Sequence, residues 1–268
     1  MQQNGTAIHV RPPAVAGLFY PDEPHELRAV VQRYLDAAPH GGKRPKALIV
    51  PHAGYSYSGP TAAAAYCRLI GQDPPVQRVV LAGPSHRAQL RGVALPDATA
   101  FETPLGAVPL DAECAVLLRA MPGVSVDNLP HRAEHSLEVQ LPFLQVVLGH
   151  FSLIPLAVGD ADPVTVADIL DACWGGTETL IVISTDLSHF LDYDTARALD
   201  SATAQSIIEG ATDLGGEQAC GCRALNGLMR VAHRRGLRVE ALDLRNSGDT
   251  SGDRDRVVGY GAFSLHGH

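Results

Sequence analysis

The chain has 268 residues, a formal net charge of −8 and a pI near 5.8. Clustered Lys and Arg of the kind that hold a phosphate backbone are missing, which excludes a nucleic-acid binder; the densest basic stretch, His233-Arg234-Arg235, reads as a helix end. No apolar run approaches the roughly 20 residues needed to span a bilayer. The polar start, Met1 to Val10, lacks the basic flank and apolar stretch of a signal peptide and reads as a flexible tail.

A chain of this length buries enough surface to fold without disulfides or a structural metal. Its five cysteines, Cys67, Cys114, Cys173, Cys220 and Cys222, form an odd set without the spacing of a secreted scaffold. Reduced thiols and a cytoplasmic location are therefore expected.

In chain order, a helix is predicted from Pro24 to Ala38, followed by the apolar run Ala47–Val50 and a helix from Gly59 to Leu69. The run Val79–Ala82 precedes helices at Ala112–Ala120 and Ser136–Leu148. Leu153–Val158 leads to a helix at Pro163–Cys173, and Leu180–Ile183 to helices at Tyr193–Gly210 and Cys222–Arg235. The four runs are nearly uninterrupted, as strands covered by helices on both faces must be. Val257–Leu265 reads as a further strand, with Val239–Leu244 as its antiparallel partner. The fold class is α/β, a layered fold with a mixed, largely parallel central sheet. No repeat, linker or shift in composition divides the chain, so residues 1–268 read as one domain.

Three runs end alike: Val50 leads into Pro51-His52, Ala82 into Gly83-Pro84-Ser85-His86, and Ile183 into Ser184-Thr185-Asp186-Leu187-Ser188-His189. In open α/β sheets, ligand sites form at the carboxyl ends of the strands. A single histidine after a strand is usually an ordinary hydrogen-bonded loop residue, but three at equivalent positions point to one pocket. Cys220, just before a helix, is a fourth candidate, because a helix N-terminus or a cation favours the thiolate that ligates metal. Cys67, Cys114 and Cys173 lie in apolar helical patterns and read as core. His135 opens a segment whose Leu137, Leu141 and Leu144 form an apolar stripe; it either enters the pocket or decorates the turn.

The stretches PHAGYSYSG from Pro51, GPSH from Gly83, EHSLEVQLPFL from Glu134, STDLSH from Ser184 and the Cys220-Gly221 pair occur in one order. Together with Arg11–Tyr20 and Asn246–Asp253 they resemble the Memo family, including the members called AmmeMemoRadiSam system protein B. That resemblance implies a fold similar to class III extradiol dioxygenases, non-haem iron enzymes that cleave catechol rings. It implies His52, His86 and Cys220 as metal ligands, with iron as the expected occupant and copper or zinc as alternatives. His189 would be the acid–base histidine, with Asp186 and His135 beside it in the catalytic pocket. Cys222 stands where relatives often carry Arg, which leaves open which thiol faces the metal. The family name also implies AMMECR1-like and radical-SAM partner proteins.

Two functions follow. One is a metal-dependent oxidoreductase acting on a small molecule; the other is a non-enzymatic protein that handles metal or binds a ligand or peptide for a partner. Hydrolysis through Ser85, His189 and Asp186 ranks lower, because Gly83-Pro-Ser-His-Arg87 lacks the second glycine of a nucleophile elbow. The acidic loop Asn246–Asp253 reads as a rim over the pocket rather than a phosphate cradle, and no Rossmann glycine element is present.

Overall fold

A computed structural model describes residues 9–250 and 252–267. The first half of the chain comprises β1 (Val10–Arg11), α1 (Pro24–Ala37), β2 (Ala47–Val50), α2 (Tyr55–Tyr66), β3 (Arg78–Pro84), β4 (Val93–Leu95), β5 (Ala100–Thr103), β6 (Gly106–Pro109), α3 (Ala112–Arg119), β7 (Val124–Val126) and α4 (Leu129–Arg132). The second comprises α5 (Leu141–Leu148), β8 (Ser152–Val158), α6 (Pro163–Ala172), β9 (Thr179–Ser184), β10 (His189–Leu191), α7 (Tyr193–Glu209), α8 (Cys222–Arg235), β11 (Arg238–Asn246) and β12 (Val257–His266).

The four apolar runs are β2, β3, β8 and β9, and they lie side by side in the order β2-β9-β3-β8, all parallel. Antiparallel pairings extend this block on both sides, through β12 next to β2 and β4 next to β8. The sheet is therefore mixed, with a parallel centre. As expected, β11 pairs antiparallel with β12. A separate three-stranded sheet, β1-β5-β6, carries the N-terminal segment.

Neighbouring residues on the central strands face opposite cores. Ile49, Val80, Ala82, Ile181 and Ile183 pack with α6 and α8 on one face. Leu48, Val79, Leu81, Leu180 and Val182 pack with α1, α2 and α5 on the other. Both faces being dry removes the polar alternation of a half-exposed strand. Helix α1 shows the complementary logic: Leu27, Val31 and Leu35 are fully buried at helical spacing, each contributing about 1.5–3 kcal/mol of burial.

Two helices differ from their sequence-based bounds. Helix α2 begins at Tyr55 rather than Gly59 and contains Pro60. Burial of Tyr55, whose hydroxyl donates to Val139 O at 2.7 Å, outweighs the single intrahelical bond that proline removes. The helix expected from Ser136 starts later: Glu138–Gln140 form a 3-10 turn and α5 begins at Leu141. Pro142, lacking an N–H, takes the second position of α5, where a helix needs no internal donor. Of the expected N-terminal tail, residues 1–8 lie outside the described residues, whereas Val10 already pairs with Ala100. No helix among the described residues is long and apolar enough to cross a membrane.

Arg11 ties the N-terminal segment to the chain around α4 and the 3-10 turn. It donates to His131 O at 2.7 Å, Glu134 O at 2.7 Å and Glu138 Oε2 at 2.6 Å. Glu138, fully buried, also accepts from Ala14 N, Val15 N and the Tyr20 hydroxyl. Replacing Arg11 by Ala leaves that carboxylate buried without a counter-charge, and is expected to destabilise the fold by about 3–5 kcal/mol, measured by urea unfolding.

Candidate metal centre

Because β9 lies between β2 and β3 and all three are parallel, the chain after each emerges at one edge of the sheet. His52 follows β2, Thr185 and Asp186 follow β9, and His86 follows β3. Cys220 arrives from the loop before α8. Cys220 N donates to Asp186 O at 3.2 Å, and Gly221 N donates to Thr185 Oγ1 at 2.8 Å. Gly221 is required by space, since a Cβ there would lie 2.8 Å from Ser184 O.

One ligand atom each of His52, His86 and Cys220 lies within 4.8 Å of the others. The His52 and His86 ring centroids are 5.2 Å apart, and His52 Nε2 lies 3.4 Å from Cys220 Sγ. Two ligands bound at about 2.3 Å (sulfur) and 2.0–2.1 Å (nitrogen) on a tetrahedral ion stand about 3.5 Å apart. The nitrogen, nitrogen and sulfur donors therefore fit a single ion of the Fe, Cu or Zn type.

Hydrogen bonds set the tautomer of each imidazole. Ser184 Oγ donates its one proton to Ser136 O at 2.6 Å, so it can only accept from His52 Nδ1 at 2.9 Å. Gln140 Nε2 donates to the same Ser184 Oγ and to Pro51 O, both at 2.9 Å. The Pro51 carbonyl, being only an acceptor, fixes that amide's orientation. His86 Nδ1 meets Glu134 Oε1 at 3.0 Å, and this carboxylate also accepts from His86 N, His135 N and Ser136 N. Burial would raise the Glu134 pKa, but the contacts with His86 and the backbone N–H groups outweigh it and hold it at about 2. An ionised Glu134 requires the proton on His86 Nδ1. In both rings the Nε2 lone pair is left for a ligand.

Burial governs the remaining charges. His52 is held well below the usual imidazole pKa by burial, then by His86 and His135, and His135 falls to about 4 mainly through burial. Cys220 moves opposite to the expectation for a helix N-terminus: burial and the neighbouring Asp186 push its thiol up to about 12. Without a cation it is a thiol beside His52 Nε2. Asp186 is pushed up by burial to about 7, although its carboxylate accepts from His52 N at 2.7 Å.

Of the other expected site residues, His135 stacks on His86 at 4.9 Å between centroids and also meets the Phe19 ring at 4.7 Å. Its Nδ1 is buried and faces Glu134 Oε1 at 3.3 Å. Asp186 is buried against His52 and Cys220. His189 is not equivalent to His52 and His86: it lies in β10, paired with Val258, and outside the ligand cluster. Burial lowers its pKa, partly offset by a hydrogen bond to the Leu187 carbonyl. The thiol in the cluster is that of Cys220, while Cys222 packs against the core. Ser85 donates to Ala88 O at 2.8 Å, and no hydrogen-bonded series joins Ser85, His189 and Asp186 among the described residues. Asn246–Asp249 pack beside Tyr193, whose hydroxyl donates to Asp249 at 2.7 Å, rather than lining the groove next to His86.

Glu134 and Ser184 are functional residues that sequence reasoning left unassigned. Glu134 also groups with His86 and His135 as a second candidate ligand set, but both its oxygens already accept N–H donors and the two sets share His86. They form one centre. A buried acid directly before His135 was the available signal, since imidazole ligands commonly lean on a carboxylate.

This architecture defines an α/β protein with a His–His–Cys centre at the carboxyl edge of its parallel strands. The pattern of the Memo-like protein family matches residues 11–264. The chain is 35% identical to a MEMO1 family protein of Aquifex aeolicus, covering 94% of this chain and 98% of that one. It is 32% identical to a MEMO1 family protein of Thermoplasma volcanium (95% and 97%), and 35% identical to one of Thermotoga neapolitana (94% and 98%). The chain belongs to the Memo family.

Two outcomes are expected for the centre. With its thiol pushed up to about 12, Cys220 must lose a proton to bind Zn(II) or Fe(II). Between pH 7 and 9 the apparent affinity of chelator-treated protein should therefore rise about tenfold per pH unit, with about one proton released per ion. Calorimetry in buffers of different ionisation enthalpy measures this, and binding without proton release would remove Cys220 from the ligand set. Glu134→Gln leaves His86 Nδ1 without its ionised acceptor and is expected to weaken metal affinity about 10–100-fold, read by competition with a chromogenic chelator.

Proposed function

We propose that the chain is a metal-dependent oxidoreductase related to the class III extradiol dioxygenases, with iron held by His52, His86 and Cys220 and copper or zinc as alternative occupants. The observation that carries this reading is the meeting of three donor atoms from three distant stretches within 4.8 Å, with both imidazoles turned Nε2-inward by Ser184 and Glu134. Two imidazoles and a thiolate are softer than the 2-His-1-carboxylate set of non-haem iron enzymes, which widens the range of metals. When bound, such an ion supplies redox and Lewis-acid chemistry.

The surrounding residues supply proton handling. His189 gives one ring N–H to the Leu187 carbonyl and, with its pKa lowered by burial, stays neutral at pH 7. Its other nitrogen is then a base for a substrate hydroxyl. His135, stacked on His86 with its Nδ1 facing Glu134 Oε1 at 3.3 Å, can turn its other ring nitrogen to a polar group of the substrate. Asp186, with a pKa near 7, can hold a proton beside Cys220 and His52.

The test is metal analysis of protein purified without chelator or affinity-tag nickel, followed by oxygen uptake with catechols and other reductants. Wild type is expected to hold one ion per chain and turn over. His189→Ala should retain the ion and lose about 100-fold or more in rate. Metal-free protein that also fails to take up iron would overturn the reading. Metal retention with no turnover in wild type would favour a metal-handling role, with the expected AMMECR1-like and radical-SAM partners tested by co-purification.

A further inference from the structure

His86 and Cys220 line one side of a groove of about 870 Å3 that opens to solvent. The rest of its lining comes from residues 84–91, the end of β8 with Gly159 and Asp160, and the start of α8. The space is within the range of small-molecule sites and far larger than one inorganic ion requires. His86 is the exposed member of the ligand cluster and His52 the buried one, so a molecule reaching the centre through this groove passes His86.

The groove is basic in an acidic protein. Three arginines, Arg87, Arg91 and Arg223, line it, against a single acid, Asp160, while the whole chain carries −8. Asp160 is paired with Arg223 at 2.8 Å. Arg87 and Arg91 have no ion pair or hydrogen bond among the described residues.

The segment bearing these two arginines is held in place. Ser85 N donates to Val158 O at 3.0 Å, Asp160 N to Leu90 O at 2.8 Å, and Gly92 N to Asp160 O at 3.1 Å. The backbones cross so closely that a Cβ on Gly159 would lie 2.1 Å from Leu90 O. A positively charged loop pinned at both ends loses little freedom on meeting a ligand.

The start of α8 adds a donor on the same wall. Gly221 occupies the N-cap position and offers no side chain to cap the helix. The N–H group of Ala224 finds no acceptor among the described residues, and Ala224 is 1% exposed. Buried backbone N–H groups are nearly always paired, so this one lacks a partner that a bound acceptor would provide.

We propose that the groove binds the oxyanion of a small organic substrate, a carboxylate or a phosphate, through Arg87, Arg91 and the first turn of α8, and so presents the rest of the molecule to the centre at His86 and Cys220. Only the presentation rests on the metal-centre reading. Anion capture requires no metal.

The probes are inorganic phosphate and benzoate, titrated calorimetrically at low ionic strength into full-length, chelator-treated protein, with tetramethylammonium as a cation control. At least one anion is expected to bind with a Kd below about 1 mM, weakening as salt is added, while the cation does not bind. The double variant Arg87→Ala/Arg91→Ala should lose at least tenfold in affinity, and Arg87→Lys/Arg91→Lys should recover part of it. Both arginines are exposed, so unchanged circular dichroism and iron uptake are expected in these variants. Failure of both anions to bind wild type, or equal binding to the double alanine variant, would overturn the proposal. If iron binds and the anions do not, the groove assignment falls and the metal centre stands; if the anions bind and iron does not, the reverse holds.

Discussion

Both imidazoles of the centre are gripped through Nδ1, and the rest of the site depends on that grip. The Ser184 hydroxyl, at the end of β9, gives its proton to Ser136 O and takes one from His52. Gln140, from the 3-10 turn before α5, holds that hydroxyl and Pro51 O with one amide nitrogen, while its Oε1 accepts from Tyr66. Glu134 grips His86, and its own backbone carbonyl accepts from Arg11. Ring orientation is thus set by groups outside the ligand cluster, buried where water does not compete for the hydrogen bonds.

The same burial sorts the charges. Glu134 and Asp186 are both buried carboxyls, yet contacts with His86 and backbone donors hold the first at about 2, while burial leaves the second near 7. One is a fixed anion that orients an imidazole, while the other titrates near neutral pH. Two like groups driven apart by environment is a pattern of acid–base sites. The lowered pKa of His52 and the raised pKa of Cys220 keep both of these ligands uncharged without a cation. A bound ion would provide the positive charge that thiolate formation at Cys220 needs.

Much of this was legible in the residues. Ala47–Val50, Val79–Ala82, Leu153–Val158 and Leu180–Ile183 each lie within a central strand, because a sheet dry on both faces writes itself as unbroken β-branched runs. His52 and His86 stood out by following such runs directly. Helix starts were less legible: Pro60 sits inside α2 and Pro142 at the head of α5, since burial of neighbours such as Tyr55 decides whether a proline is tolerated. His189 looked equivalent to the other two histidines, but the chain after β9 turns to pair with β12 and carries it out of the ligand cluster. Glu134 and Ser184 open the EHSLEVQLPFL and STDLSH stretches, but their roles are hydrogen bonds across 48 and 132 residues of sequence, which the stretches do not reveal.

The sequence by itself determined the family, the parallel strands and the residue types able to bind metal, because these follow from local order and periodicity. Only the tertiary structure decided which nitrogen of each imidazole is free, which cysteine joins them, and that a basic groove opens beside them. Those properties depend on distances between segments far apart in the chain, and no local pattern encodes a distance.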